Sequence, residues 1–506
     1  MKTRFSFLFM IFSLIPWVQA SAAGVLVSSH GLSGLEGYPA PVERPIEGNE
    51  FTQRVSVQQH KLLSVQKSCI QKLENLFAKK WDHVESGENF LQPYQGLVTE
   101  IVSSDSTMGG SDMASTSGNA DNLSIKFSLV KFLTAQTQAE TTVCHELVHA
   151  YFRKWMSESN YASMPKWARE GSAVYLSNQI EEKEKAFLFR DSMSIDHLLD
   201  LFNGLEGAHS FLDYLEDALA FEYLDTLSSG TVVKVLAQVM NGKSIYDAIS
   251  SSTGLSKSDF LTKATQYGRA KMEQLIASLP ADLLQARKDY EKKGAGYELA
   301  KAGLIRYVRS KGIPYGEKPV TQELLKTTVL SFATPPDSNL AYALKLLGII
   351  NSRQARFSES ADSLAILRFL LNDVPASMYG QDTLPLRSAQ ARILLSQKNW
   401  AALYDVQQII YGEHTEDLYT RMYATKVIGR SLVEQGKFQE ALPWLDVVQG
   451  TSKDVEIRLM VIICKYRTGG DLAAAKADLE ALYSEVKSEG KRSFFKSEIA
   501  RLAAGL

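Results

Sequence analysis

The sequence predicts an α+β domain with a small sheet, followed by an all-α helical-repeat domain. Three observations carry that expectation. Gly96 to Val102 and Leu123 to Leu129 read as strands. Around them lie helical patterns, such as Gln59 to Lys79 with Leu62, Leu63, Val65, Ile70, Leu73 and Leu76 spread along it. In the second half, Gly436-Lys437-Phe438-Gln439-Glu440-Ala441-Leu442 and Gly470-Asp471-Leu472-Ala473-Ala474-Ala475-Lys476 are equivalent and 34 residues apart. A fixed period of that length signals stacked helical pairs.

In chain order, Lys2 and Arg4 form a positive start, and Phe5 to Val18 is apolar but broken by Pro16. Val18-Gln19-Ala20 then offers a small-x-small cleavage pattern. Residues 1–20 therefore read as a signal peptide of an exported chain, periplasmic or secreted, with no stable membrane span once it is removed. Residues 21–50 read as a leader, 51–278 as the first domain and 279–506 as the repeat domain. The boundary rests on Leu279-Pro280-Ala281-Asp282, which breaks a helix. Ser103 to Asp121 is rich in Ser, Gly and Asp and reads as a loop.

The chemistry concentrates at His145-Glu146-Leu147-Val148-His149, followed after twenty residues by Glu170. On a helix, positions i and i+4 share a face, so both imidazoles can aim at one point. Val143, Leu147, Ala150 and Tyr151 give that helix an apolar stripe. Asn160 to Ser163 read as a loop, and Pro165 suits the start of a second helix that runs back and presents Glu170. Its Gly171 and Ala173 permit close approach, and a mid-helix glycine wants such a reason. Three ligands leave a fourth position for water or substrate, and Glu146, beside the first ligand, can act as base. Glu158 is the alternative third ligand.

His145-Glu146-Leu147-Val148-His149 together with Pro165, Trp167, Glu170, Gly171, Ala173 and Tyr175 resembles the gluzincin metallopeptidases, most closely the small bacterial peptidase MA-like domains. The similarity runs over roughly residues 120 to 270, through Tyr214 to Leu224, Gly242 to Ile249 and Thr253 to Ser256. It implies one zinc ion held by His145, His149 and Glu170, with Glu146 as catalytic base in peptide-bond hydrolysis. It also matches Tyr214 to a tyrosine of such domains, and a phenol can donate to a developing oxyanion. By the same resemblance Ser124 to Leu129 is the strand that would pair with substrate. No G-x-M-E-N motif precedes the helix, which argues against aminopeptidase activity. The period and the G-x-[LF]-x-x-A turns of the second half resemble tetratricopeptide repeats, with irregular copies at Phe357 and Trp400, and imply a surface for a protein partner.

Composition sets the remaining bounds. The formal charge of −2 gives no electrostatic case for nucleic acid. Cys69, Cys144 and Cys464 are no disulfide framework; each reads as a buried thiol, with Cys69–Cys144 the one pair open to an exported chain. His30, His60, His83 and His414 carry no partner pattern, while His197 and His209 lie in the first domain and read as structural. The competing reading is a repeat-based scaffold or chaperone-like binder with a structural or inactive zinc site.

Overall fold

The sheet sits at one end of a chain that is otherwise helical, with twenty helices and three strands among the described residues. The computed structural model describes residues 48–84, 94–102, 114–128, 138–190, 199, 204–206, 214–292, 294–317, 320–332, 337–354, 357–374, 378–379, 383–413, 418–449, 454–486, 492–493 and 496–497. The signal segment, His30, His197, His209 and His414 lie outside them.

Strands β1 (Leu97–Val102) and β3 (Asn122–Ser128) match the expected pair. The third, β2 (Ala114–Asn119), falls in the segment read as a loop. Ala-Ser-Thr-Ser-Gly-Asn has little strand preference of its own. It forms because it folds back on β3 in antiparallel register, Ala114 opposite Phe127 and Asn119 opposite Asn122. Gly118 permits the tight return: its φ is 98°, and a Cβ there would meet the Asn122 carbonyl oxygen. The order is β1-β3-β2, with β1 parallel to β3. Thus β3, expected as the substrate-pairing edge, is paired on both sides and has no free backbone edge. Of the two edge strands, β2 is the one that lies along the next helix and contacts it through Thr116.

The helices of the first half are α1 (Gly48–Phe77), α2 (Gln138–Trp155), α3 (Glu158–Ser163), α4 (Lys166–Leu176), α5 (Ile180–Leu188), α6 (Tyr214–Leu227), α7 (Thr231–Met240), α8 (Ile245–Thr253) and α9 (Lys257–Ala277). Residues 48–50, read as leader, already belong to α1. The expected loop at Asn160–Ser163 is instead α3, started by Ser157, whose side chain accepts from the Asn160 amide. Cys69 and Cys144 are bonded, Cα atoms 5.6 Å apart, so the reading of both as free thiols is corrected and α1 is tied to α2. Helix α6 is buried on nearly every side, from Leu215 to Phe221. It is the central rod against which α4, α5 and α9 pack.

The second half contains α10 (Ala281–Glu291), α11 (Gly296–Ser310), α12 (Gln322–Phe332), and then α13 (Ser338–Gln354) with α14 (Phe357–Asp373), and α15 (Leu384–Ser396) with α16 (Trp400–Glu413). Helices α17 (Leu418–Glu434) with α18 (Phe438–Gln449), and α19 (Val455–Arg467) with α20 (Leu472–Glu485), complete it. Successive pairs meet where α14 packs on α15, α16 on α17 and α18 on α19, and first helices also touch at α13 with α15 and α17 with α19. The expected break is present, since α9 ends at Ala277 and α10 starts at Ala281. One apolar core nevertheless crosses it, joining Phe187, Phe189, Leu215 and Met272 to Leu304, Leu347 and Leu394.

Glycine 171 fixes the closest helix approach. A Cβ there would lie 2.3 Å from the Asp217 carbonyl oxygen of α6. Alanine would gain about 1 kcal/mol of helix preference, but forcing α4 off α6 costs about 1–3 kcal/mol. Gly171→Ala should therefore lower the unfolding free energy in urea melts. A stabilised variant would show that the helices do not approach this closely.

Candidate metal centre

Helix α2 sets His145, Glu146 and His149 on or beside one face, all buried. Helix α4 crosses it and brings Glu170 to both imidazoles. His145 Nε2 lies 3.4 Å and His149 Nε2 3.3 Å from Glu170 Oε2. The two Nε2 atoms are 3.1 Å apart. Ligand atoms around a tetrahedral zinc, with bonds of about 2.0–2.1 Å, stand about 3.3–3.4 Å from one another. The three donor atoms thus match the edges of one face of such a site. They are the group of metal-binding character among the described residues. Glu158, the alternative ligand, is exposed on α3 and not in that group.

The outward nitrogens of the rings are engaged. His145 Nδ1 donates to Gln179 Oε1 at 3.0 Å, and Tyr161 Oη lies 3.1 Å from His149 Nδ1. Such partners fix ring orientation and leave Nε2 for the metal. Gln179 reaches its place through a tight turn after α4, where Asn178 takes φ of 61°, a conformation asparagine tolerates. Lys72 of α1 holds that turn by donating to the Leu176 carbonyl at 2.7 Å and Asn178 Oδ1 at 3.2 Å. The Tyr161 ring lies under the guanidinium groups of Arg153 and Arg169, 4.6 Å and 5.6 Å from its centroid.

Glu146 is oriented from the sheet. Thr116 Oγ1 of β2 donates to its Oε2 at 2.6 Å and also contacts its backbone carbonyl at 3.1 Å. Among the described residues no other group bonds this carboxylate, so one oxygen is held and the other is free. The Tyr214 ring stacks on His145, centroids 6.2 Å apart and planes 20° apart. The structure therefore gathers His145, Glu146, His149, Glu170 and Tyr214 at one place.

Charge balance follows from burial. Burial weighs against a charged His149, but the Tyr161 hydroxyl and Glu170 outweigh it and raise the imidazole to about 10. Burial would also raise Glu170, yet His149 and His145 hold its carboxyl far below the usual range. Without a cation, a proton on His149 balances Glu170. A divalent ion would displace that proton and take its role. Burial lowers the pKa of Lys183 on α5, against the opposing pull of Glu182 and Glu170.

Thr116, Tyr161 and Gln179 had no signal in the sequence. They stand 30, 12 and 34 residues from the groups they touch, at spacings set by the fold alone. Family models, curated proteins and solved structures give no match to this chain.

Removing an outer partner of a metal-binding histidine typically costs about 10–100-fold in metal affinity. Gln179→Ala should weaken zinc binding by that factor in a competition titration against a chelating dye, with the fold intact by circular dichroism. Unchanged affinity would mean that Gln179 does not orient His145.

Proposed function

We propose that the chain is an exported zinc metallopeptidase of the gluzincin kind, with a helical-repeat half that serves a protein partner or substrate. The observation that carries this reading is the triangle of His145 Nε2, His149 Nε2 and Glu170 Oε2 beside a buried, oriented Glu146. When bound, zinc would polarise the scissile carbonyl and bring the pKa of a water towards ~7.

The residues divide the remaining work. His145, His149 and Glu170 hold the ion and leave a fourth position to substrate and water. Glu146 receives the proton of the attacking water on the oxygen that Thr116 leaves free, and returns it to the leaving nitrogen. Tyr214 donates from its phenol as negative charge develops on the carbonyl oxygen. The outer edge of β2, without a strand partner among the described residues, pairs with an extended substrate. The Cys69–Cys144 bridge supports export, because disulfides persist in oxidising compartments. No described helix is long and apolar enough to cross a membrane.

Against the scaffold reading stands the ligand count. Structural zinc sites are closed by four protein ligands; three protein groups converge here among the described residues.

Two variants test the division of labour. His149→Ala should lose zinc by elemental analysis. Glu146→Gln should keep about one equivalent yet lose about 10²–10⁴-fold in turnover of casein or a peptide library. A metal-free or fully active Gln variant ends the role given to Glu146. An unaltered protein that holds zinc and cleaves nothing returns the scaffold reading.

Tyr214 is tested by kinetics. If its hydroxyl acts only in the transition state, Tyr214→Phe lowers kcat by about 10²–10³ with little change in KM. An unchanged kcat assigns Tyr214 to packing against His145.

A further inference from the structure

A groove of about 260 Å³ opens between α13 and α15, the first helices of two successive pairs. Ile349, Leu384, Pro385 and Ala389 give it an apolar floor, and Arg353 and Arg392 add two guanidinium groups. Among the described residues no carboxylate lines it. The volume is below the usual range for a small-molecule pocket and suits a side chain or two of a peptide.

The neighbouring junction shows what such cations ordinarily meet in this stack. Arg430 holds in α17 the place of Arg392 in α15, each eight residues before the aromatic that opens the next helix, Phe438 and Trp400. Arg430 is ion-paired with Glu456 of α19. Lys426, one turn earlier, meets Asp454 at 2.6 Å and Glu456 at 3.4 Å. Counted back from the following helix, the places of Asp454 and Glu456 are taken in α17 by Thr420 and Met422. Among the described residues Arg392 thus has no internal acid of the kind Arg430 has. Among the described residues it makes no hydrogen bond or ion pair, and it is exposed. Arg353 is fixed rather than neutralised: it donates to Tyr297 Oη at 3.2 Å and lies over the Tyr290 and Tyr297 rings. Glu298 of α11, in the same corner, accepts instead from Gln354.

We propose that this groove docks an acidic peptide segment of a protein partner, its carboxylate between Arg353 and Arg392 and a neighbouring apolar side chain on the floor. Guanidinium groups bind carboxylates through paired, charge-assisted hydrogen bonds. The inference does not depend on the metal centre, and its test avoids catalysis.

The full chain carrying Glu146→Gln is titrated into a labelled, end-blocked hexapeptide of alternating Glu and Leu, followed by fluorescence anisotropy. A Gln/Leu hexapeptide is the neutral comparison. The acidic peptide should bind saturably, more weakly as salt rises, and the neutral one at least about tenfold more weakly. Arg392→Glu and Arg353→Gln should each weaken the acidic peptide about tenfold or more. Lys476→Glu, an equal charge change on exposed α20, should leave it unchanged. Equal binding of both peptides, equal loss with Lys476→Glu, or no saturation at millimolar peptide would each overturn the proposal. So would a dimer that Arg392→Glu dissolves, since the occupant would then be a second copy.

Discussion

Glu170 reaches the two histidines only because α4 can be pressed between α2 and α6, and it can be pressed there because Gly171 has no side chain. The contact is backbone against backbone, so no rotamer change relieves it. Its position next to Glu170 ties the packing of the core to the placement of a ligand. The disulfide at Cys144 does the same from the other side, fixing α2 to α1 one residue before His145. Lys72, on that same α1 close after Cys69, holds the turn that carries Gln179. Three separate ties therefore converge on one pair of imidazoles.

The electrostatics explain why such bracing is needed. Buried Glu146 and half-buried Glu170 lie near two buried imidazoles, where unpaired charge is costly. In the cation-free state a proton on His149 compensates one of them. The other, Glu146, accepts among the described residues from the hydroxyl of Thr116. A dication would balance both carboxylates at once. The arrangement is thus unbalanced by itself, and a dication at the spacing of its donor atoms would balance it.

What could be read from the chain was what local spacing dictates. The i,i+4 histidines, Glu146 between them and the helix that carries Glu170 all follow from period and punctuation. The break at Leu279 was legible for the same reason. Strand β2 was not, because its residues prefer no strand and its order comes from pairing with β3. Helix α3 was hidden because Asn160 and Ser163 favour loops, and the Ser157 cap outweighs them. Thr116, Tyr161 and Gln179 were hidden because hydrogen bonds across the core leave no trace in spacing. The 34-residue period located α18 and α20, while the starts of α14 and α16 at Phe357 and Trp400 showed the irregularity the sequence implied.

The boundary at Leu279 divides helices but not the core, and the reason lies at the end of α5. Its last carbonyls, a partial negative charge at a helix C-terminus, are met by two buried cations from the second half. Arg287 of α10 donates to the carbonyls of Leu188 and Arg190. Lys345 of α13 donates to the Phe189 carbonyl at 3.1 Å and to that of Tyr379 at 3.1 Å. Helix α5 begins where Gln179 holds His145. It is nine residues long and spans the distance from the metal centre to the stack as one rigid piece. Helix α13, which grips its far end through Lys345, also carries Ile349 and Arg353 of the groove. Separating the halves at Leu279 would take the Leu188 and Arg190 carbonyls from Arg287 and the Phe189 carbonyl from Lys345, and open the shared core. The two halves therefore share one core, and the outer support of the candidate metal centre is anchored in the helical stack.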